Sequence, residues 1–310
     1  RTVLPMAALP AGMRLHRAAA ALAIALALLA VASGTDSGTP RSESPATPVR
    51  PERIVSLVPA TTEILFAIGA GDRVVGVGSY DRFPPEAGTR PKVGGLIDPD
   101  TERILALRPD LVVGYATQDA LIEQLDRASV PFYSYRHRAL PDVMQTIRDL
   151  GTRVDEAEAA SRLADRMQGQ LESIRSSVAN RPRPTVLLVF GRDPGGIRNV
   201  YASGGYGFLA DVLDIAGGDN VFADVERESV QVGTEELLSL RPDVIVELQY
   251  DGSDTEPALR RPEDWNSLPS IPAVRDGRVH ILRGDEFVVP GPRVVDAARR
   301  LADVLHPAAQ

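Results

Sequence analysis

The chain has 310 residues and a net charge of −8, and residues 1–32 hold three arginines and no acids, so the remainder carries −8 − 3 = −11. That length suffices for two ordinary domains, and so acidic a body lacks the concentrated basic face that binding to a phosphate backbone needs, which argues against a nucleic-acid partner. No cysteine is present, which removes disulfides, thiolate catalysis and cysteine-held zinc or iron–sulfur sites.

Residues 1–32 read as an export signal. Met13-Arg14-Leu15-His16-Arg17 is a basic start, Ala18–Leu29 an apolar core, and Ala30-Val31-Ala32 a small-residue cleavage site. The apolar run is shorter than the ~20 residues of a spanning helix. Thr35, not a cysteine, follows Val31-Ala32-Ser33-Gly34, so no lipid anchor is expected. Residues 33–52 are rich in Ser, Thr, Pro and Gly and form a flexible linker with little to bury.

From residue 53 strands alternate with helices, which indicates α/β structure with mostly parallel sheets. A first lobe spans 53–140. Its strands are Ile54–Val58, Val74–Val77 and Pro131–Tyr135; its helices are Thr61–Gly69 and Asp119–Arg127. A connecting region spans 141–184. It holds a helix over Pro141–Leu150, interrupted at Gly151, and a long helix over Asp155–Val178 that joins the lobes as one rigid strut. A second lobe spans 185–310, with strands Thr185–Phe190 and Val279–Leu282, helices Phe208–Ala216 and Val294–Leu305, and a polar stretch containing Trp265.

One phrase occurs twice. Thr101–Val113 returns as Thr234–Val246, identical at eight of thirteen positions. In each copy a Thr caps a helix, the acid after it suits the helix dipole, a Pro ends the helix, and a continuous apolar run forms a strand covered on both faces. Two copies in separate halves predict two similar lobes with a ligand cleft between them.

Catalytic motifs are weak. Gly205-Tyr206-Gly207-Phe208-Leu209-Ala210 fits a dinucleotide fingerprint in letters, but Val221-Phe222 is too short for the second strand that motif requires. Its glycines are expected to make a tight loop. His137 and His280 are the only useful imidazoles, too few to hold a bare metal ion, and His280 within a strand is structural. No Ser sits in a nucleophile elbow. The chain is therefore expected not to be an enzyme and to hold no cofactor or metal of its own.

The informative pattern is the placement of aromatic, arginine and amide residues. Tyr80, Tyr115, His137, Arg138, Arg192, Tyr201 and Tyr250 fall at predicted strand ends or in the loops after them, with Gln231 and Gln249 beside them. Ligands of parallel sheets bind at those ends, and aromatic surfaces with Arg suit a large ring-rich ligand bearing oxygens. Glu102 and Glu235, each second in its repeat copy, occupy equivalent places on the two lobes. They either compensate helix dipoles or dock a two-subunit basic partner.

Residues 53–306 resemble the periplasmic substrate-binding proteins of ABC importers for cobalamin and ferric siderophores, most of all the cobalamin branch. The matching phrases are Arg53-Ile54-Val55-Ser56-Leu57 with Thr62-Glu63, Gly76–Tyr80 with Phe83-Pro84-Pro85, both repeat copies, and Ala216–Phe222. The resemblance implies a monomeric periplasmic receptor that binds a metal chelate between two α/β lobes. Its partners would be a permease dimer and that permease's ATPase. Glu102 and Glu235 match the family's permease-docking positions. Tyr80 matches a cleft aromatic of cobalamin binders and Tyr115 replaces a Trp, while Leu96 and Ser229 stand where Trp is usual. Gly95 stands where haem-binding relatives carry a Tyr ligand, which argues against haem. Cobalamin therefore leads a ferric siderophore. The alternatives are an exported sensing module and a two-lobed nucleotide-dependent transferase.

Overall fold

Two sheets carry the fold, each built from the short β-branched and apolar runs read above. The structure, a computed structural model, describes residues 50–136, 139–250 and 260–307. The expected signal, most of the linker, and candidates His137 and Arg138 lie outside them. In the first sheet β1 (Ile54–Ser56), β2 (Val74–Val77), β3 (Leu111–Tyr115) and β4 (Phe132–Tyr135) are all parallel, in the order β2-β1-β3-β4. The second sheet contains β5 (Thr185–Gly191), β6 (Val200–Ser203), β7 (Asp219–Asn220), β8 (Ser229–Val232), β9 (Val244–Gln249) and β10 (Val279–Arg283). Its parallel path β7-β5-β9-β10 repeats the connectivity of the first sheet strand for strand. The antiparallel strands β6 and β8 are an addition without counterpart in the first lobe.

Ten helices accompany the sheets among the described residues: α1 (Pro59–Ala67), α2 (Pro85–Gly88), α3 (Thr101–Ala106), α4 (Asp119–Arg127), α5 (Leu140–Arg153), α6 (Ala157–Val178), α7 (Phe208–Ile215), α8 (Thr234–Leu240), α9 (Pro272–Arg275) and α10 (Val294–Leu305). The repeated phrase is α3 into β3 and α8 into β9. Its strands are covered on both faces, with Leu111–Val113 and Val244–Val246 fully buried.

The caps of the repeat differ from expectation. Asp100, one residue before Thr101, caps α3 by accepting the Arg103 amide at 3.0 Å, and Gly233 occupies the equivalent place at α8 without a side-chain bond. Both threonines are already helical, so their amides are among the donors that need capping. The stop is more specific than proline alone. Arg108 (φ 49°) and Arg241 (φ 48°) both turn left-handed just before Pro. The Asp that follows then ties strand to strand. Asp110 accepts the Glu52 and Arg53 amides at 2.8 and 2.9 Å, and Asp243 accepts the Thr185 amide at 2.9 Å. Each Asp thus registers the repeat strand against the first strand of its lobe.

The link between sheets is also different from a single strut. Gly151 does not interrupt α5. A side chain there would meet the Ala160 Cβ at 2.1 Å, so glycine is what lets α5 and α6 approach. Asp155 (φ 59°) makes the turn between them. The 22 residues of α6 span about 33 Å and bury Leu163, Met167, Leu171, Ile174 and Val178. One apolar cluster runs through this stripe from Ile54 and Val113 of the first sheet to Val186 and Val246 of the second. The lobes are linked by two helices and share a core.

Candidate functional site

The loops after the parallel strands converge as the topology requires. After β2 the chain runs through Gly78 to Tyr80, whose ring is 60% exposed, while Asp81 next to it is buried. Burial pushes the Asp81 carboxyl up to about 7, only partly offset by the Thr62 hydroxyl and the Lys92 ammonium. That ammonium donates to the Asp81 carbonyl, so the loop is pinned from below while Tyr80 faces outward.

Tyr115 ends β3. Its backbone amide donates to the Gln118 side chain at 3.0 Å, and that same amide group donates to the Leu96 carbonyl at 2.9 Å. Gln118 therefore holds the loop bearing Leu96 and Ile97 against the end of β3. A cavity of about 590 Å3 opens there, lined by Leu96, Ile97, Pro99, Tyr115, Gln118 and Leu121. The Tyr115 ring lies 5.3 Å from that of Tyr135, tilted at 58°. Burial raises the Tyr115 phenol, and so does the carboxylate of Glu228. Glu228 precedes β8 of the second lobe.

On the second lobe Tyr201 and Gln231 are direct cross-strand partners on β6 and β8, and both are exposed. Tyr250 is exposed just beyond β9. The lobe's other candidates turn inward. The Gln249 side chain is buried and donates to the Arg260 carbonyl at 2.9 Å. The Arg192 side chain is fully buried. It pairs with Glu247 at 2.8 Å and Asp264 at 2.9 Å, and donates to the carbonyls of Gly196 and Arg261. The ligand contact expected of Arg192 is corrected on this point: its three nitrogens are spent on a polar core that includes the indole of Trp265, itself fully buried rather than part of a polar stretch. A buried Glu must be paired and hydrogen-bonded, and Arg192 meets that demand.

Glu102 and Glu235 are exposed in the first turns of α3 and α8. The tight loop expected at Gly205 is present. Its amide donates to the Val225 carbonyl at 2.8 Å, and a side chain there would lie 2.0 Å from the Ala223 carbonyl oxygen. Space for a pyrophosphate is filled by the chain itself. His280 is half-buried in β10, and burial, with Arg278, lowers its pKa. Among the described residues no group of three or more metal-ligating side chains converges.

Sequence reasoning missed two features. Ile97, almost fully exposed beside Leu96 in a Gly- and Asp-bounded loop, is one, and that contrast was the available signal. The second is an ion pair between Glu63 of α1 and Arg293 at the start of α10, with Nε to Oε2 at 3.0 Å. Only a fold that brings residues 230 apart together could reveal it.

Comparison with known proteins supplies the frame for this site. A family described as periplasmic binding protein matches residues 54–286. The chain is 30% identical over 255 residues to the vitamin B12-binding protein of Salmonella typhimurium, covering 82% of this chain and 90% of that protein. Among solved structures, a periplasmic heme-binding protein from Roseiflexus aligns with TM-score 0.71 and 28% identity, over 84% of this chain and 99% of that one. The periplasmic vitamin B12 binding protein of Vibrio cholerae aligns with TM-score 0.68 and 25% identity, over 82% and 96%.

Proposed function

From the premise that the chain belongs to the periplasmic binding protein family, we propose that it captures cobalamin in the periplasm and presents it to the permease of an ABC importer. The observation that carries this reading is a set of tyrosines from both sheets: exposed Tyr80 after β2 and half-buried Tyr115 at the end of β3, where it lines the apolar Leu96–Ile97 cavity, with exposed Tyr201 on β6 and Tyr250 after β9. Such surfaces hold a large flat chelate intact by stacking, while Gln231 and the phenols supply hydrogen bonds to its periphery. The ligand walls are residues 53–140 and 185–310, joined by 141–184.

A similarity to the Salmonella vitamin B12-binding protein supports the corrin over other chelates. At position 95 there is no phenol. The Tyr80 ring edge comes within 3.9 Å of where a side chain at Gly95 would begin, so Tyr80 occupies the neighbourhood from which such a group would project. The test is an absorption titration of the purified protein with cyanocobalamin, a ferric siderophore and haemin. Perturbed corrin bands at one equivalent, with the chelate recovered unchanged, are expected. A ferric charge-transfer band or a Soret shift alone would reassign the cargo, and binding of none of the three would overturn the reading.

A further inference from the structure

Three chain segments distant in sequence meet on one cation. The Arg293 guanidinium grips Glu63 of α1 through Nε and Nη2, with the Nε bond at 3.0 Å. It stands over the ring of Phe83 at 4.2 Å and lies 3.6 Å from Glu286 of its own lobe. Phe83 belongs to the same loop as Tyr80, three residues on. Around this point the second lobe also touches the first through Val289, which packs on the cluster of Val58, Ala60 and Tyr135, and Gly291, whose missing side chain would lie 3.6 Å from Ala60.

We propose that Arg293 is a positioning residue for the ligand cleft, fixing the Tyr80-bearing loop of the first lobe to the second lobe through Glu63 and Phe83. The charge pattern makes this cation the deciding one. Glu63 is 3% exposed, and burial, with the carboxylates of Asp285 and Glu286, raises its pKa, while the bonds and charge of Arg293 oppose that rise. Arg300 also contacts Glu286, but Glu63 and Phe83 are reached by Arg293. Without it the buried Glu63 loses both bonds that tie it to the second lobe, and Phe83 loses the cation it rests against. Arginine suits the task because its planar fork bonds a carboxylate at two points while its face rests on an aromatic ring; lysine cannot do both.

The proposal rests on the receptor reading for its affinity readout, and a second readout is independent of ligand. Since the chain has no cysteine, Asp72→Cys and Asp276→Cys place one spin label on each lobe. In Arg293→Gln the interlobe distance distribution should broaden, and hydrogen exchange over residues 78–91 should accelerate. Cyanocobalamin affinity should fall roughly tenfold or more, because only part of the population then presents an aligned cleft. Phe83→Leu spares the ion pair and any folding burden of an unpaired Glu63, and should accelerate loop exchange and weaken binding in the same sense. Arg293→Lys should restore the distance distribution but not the loop exchange. The double variant Glu63→Gln with Arg293→Gln should fold and still show the loosened loop. Unchanged distances and loop exchange in Arg293→Gln and Phe83→Leu would overturn the proposal, whether or not any chelate binds. If wild-type protein binds no chelate, the receptor reading fails and these ligand-free measurements still decide the clasp.

Discussion

Asp81 is the residue with the clearest cost. Its carboxyl is held at about 7 against an ordinary 3.8, with burial the largest cause. Between those values the folded protein keeps a proton that the unfolded chain has released, so stability falls as pH rises from about 4 to about 7 and stays reduced above. Three pH units bound the effect at about 4 kcal/mol. Asp81→Asn should therefore match wild type near pH 4 and exceed it at pH 8, as read from denaturation midpoints across pH; a parallel pH profile in both proteins would refute it. A group so placed, directly beside an exposed tyrosine, shows how tightly the cleft loop is anchored. Arg192 teaches the converse. At the end of β5 its position matched a ligand contact, yet Glu247 on the neighbouring strand claims its charge. Sequence places a residue at a strand end. It does not say which carboxylate lies across the sheet.

At the scale of elements, the repeated phrase is a unit of strand registration. Asp110 and Asp243 each join the first strand of a lobe to the repeat strand beside it, so both lobes set their central pairing with the same residue. Asp110→Ala should lower unfolding free energy by about 1–2 kcal/mol, from the loss of two charge-assisted bonds. Urea denaturation would measure this, and cyanocobalamin affinity should be unchanged. A loss of affinity without loss of stability would show a role in the cleft instead. Much of this level was legible. Val74–Val77, Asp119–Arg127 and Val294–Leu305 occupy the residues their periodicity marks, because local pattern and tertiary burial agree there. What local pattern could not supply was pairing between distant segments. The antiparallel β6 and β8, the buried Trp265 and the Glu63–Arg293 bond all depend on partners far along the chain. Gly151 belongs with them: read locally it breaks a helix, but its neighbour Ala160 requires its small size.

For the whole molecule, the two lobes repeat one topology and so present α3 and α8 as equivalent elements. Glu102 and Glu235 lie exposed in their first turns, and among the described residues neither is engaged in an ion pair, whereas the adjacent Arg103 is paired with Asp100 at 3.0 Å. Two matched, uncommitted carboxylates fit a partner with two equivalent basic patches, as a permease dimer would offer. Exposed charges of this kind contribute little to folding, so their reversal tests docking without disturbing the fold. Glu102→Arg or Glu235→Arg alone should weaken association with permease in vesicles and flatten its dependence on salt, since less charge attraction is left to screen and rim charges act mainly on encounter rate. The double reversal should abolish uptake in cells while leaving the absorption titration with cyanocobalamin and the thermal midpoint as in wild type. Lost chelate affinity in the double variant would place these residues in the cleft rather than on the docking face, and unimpaired uptake would remove them from both.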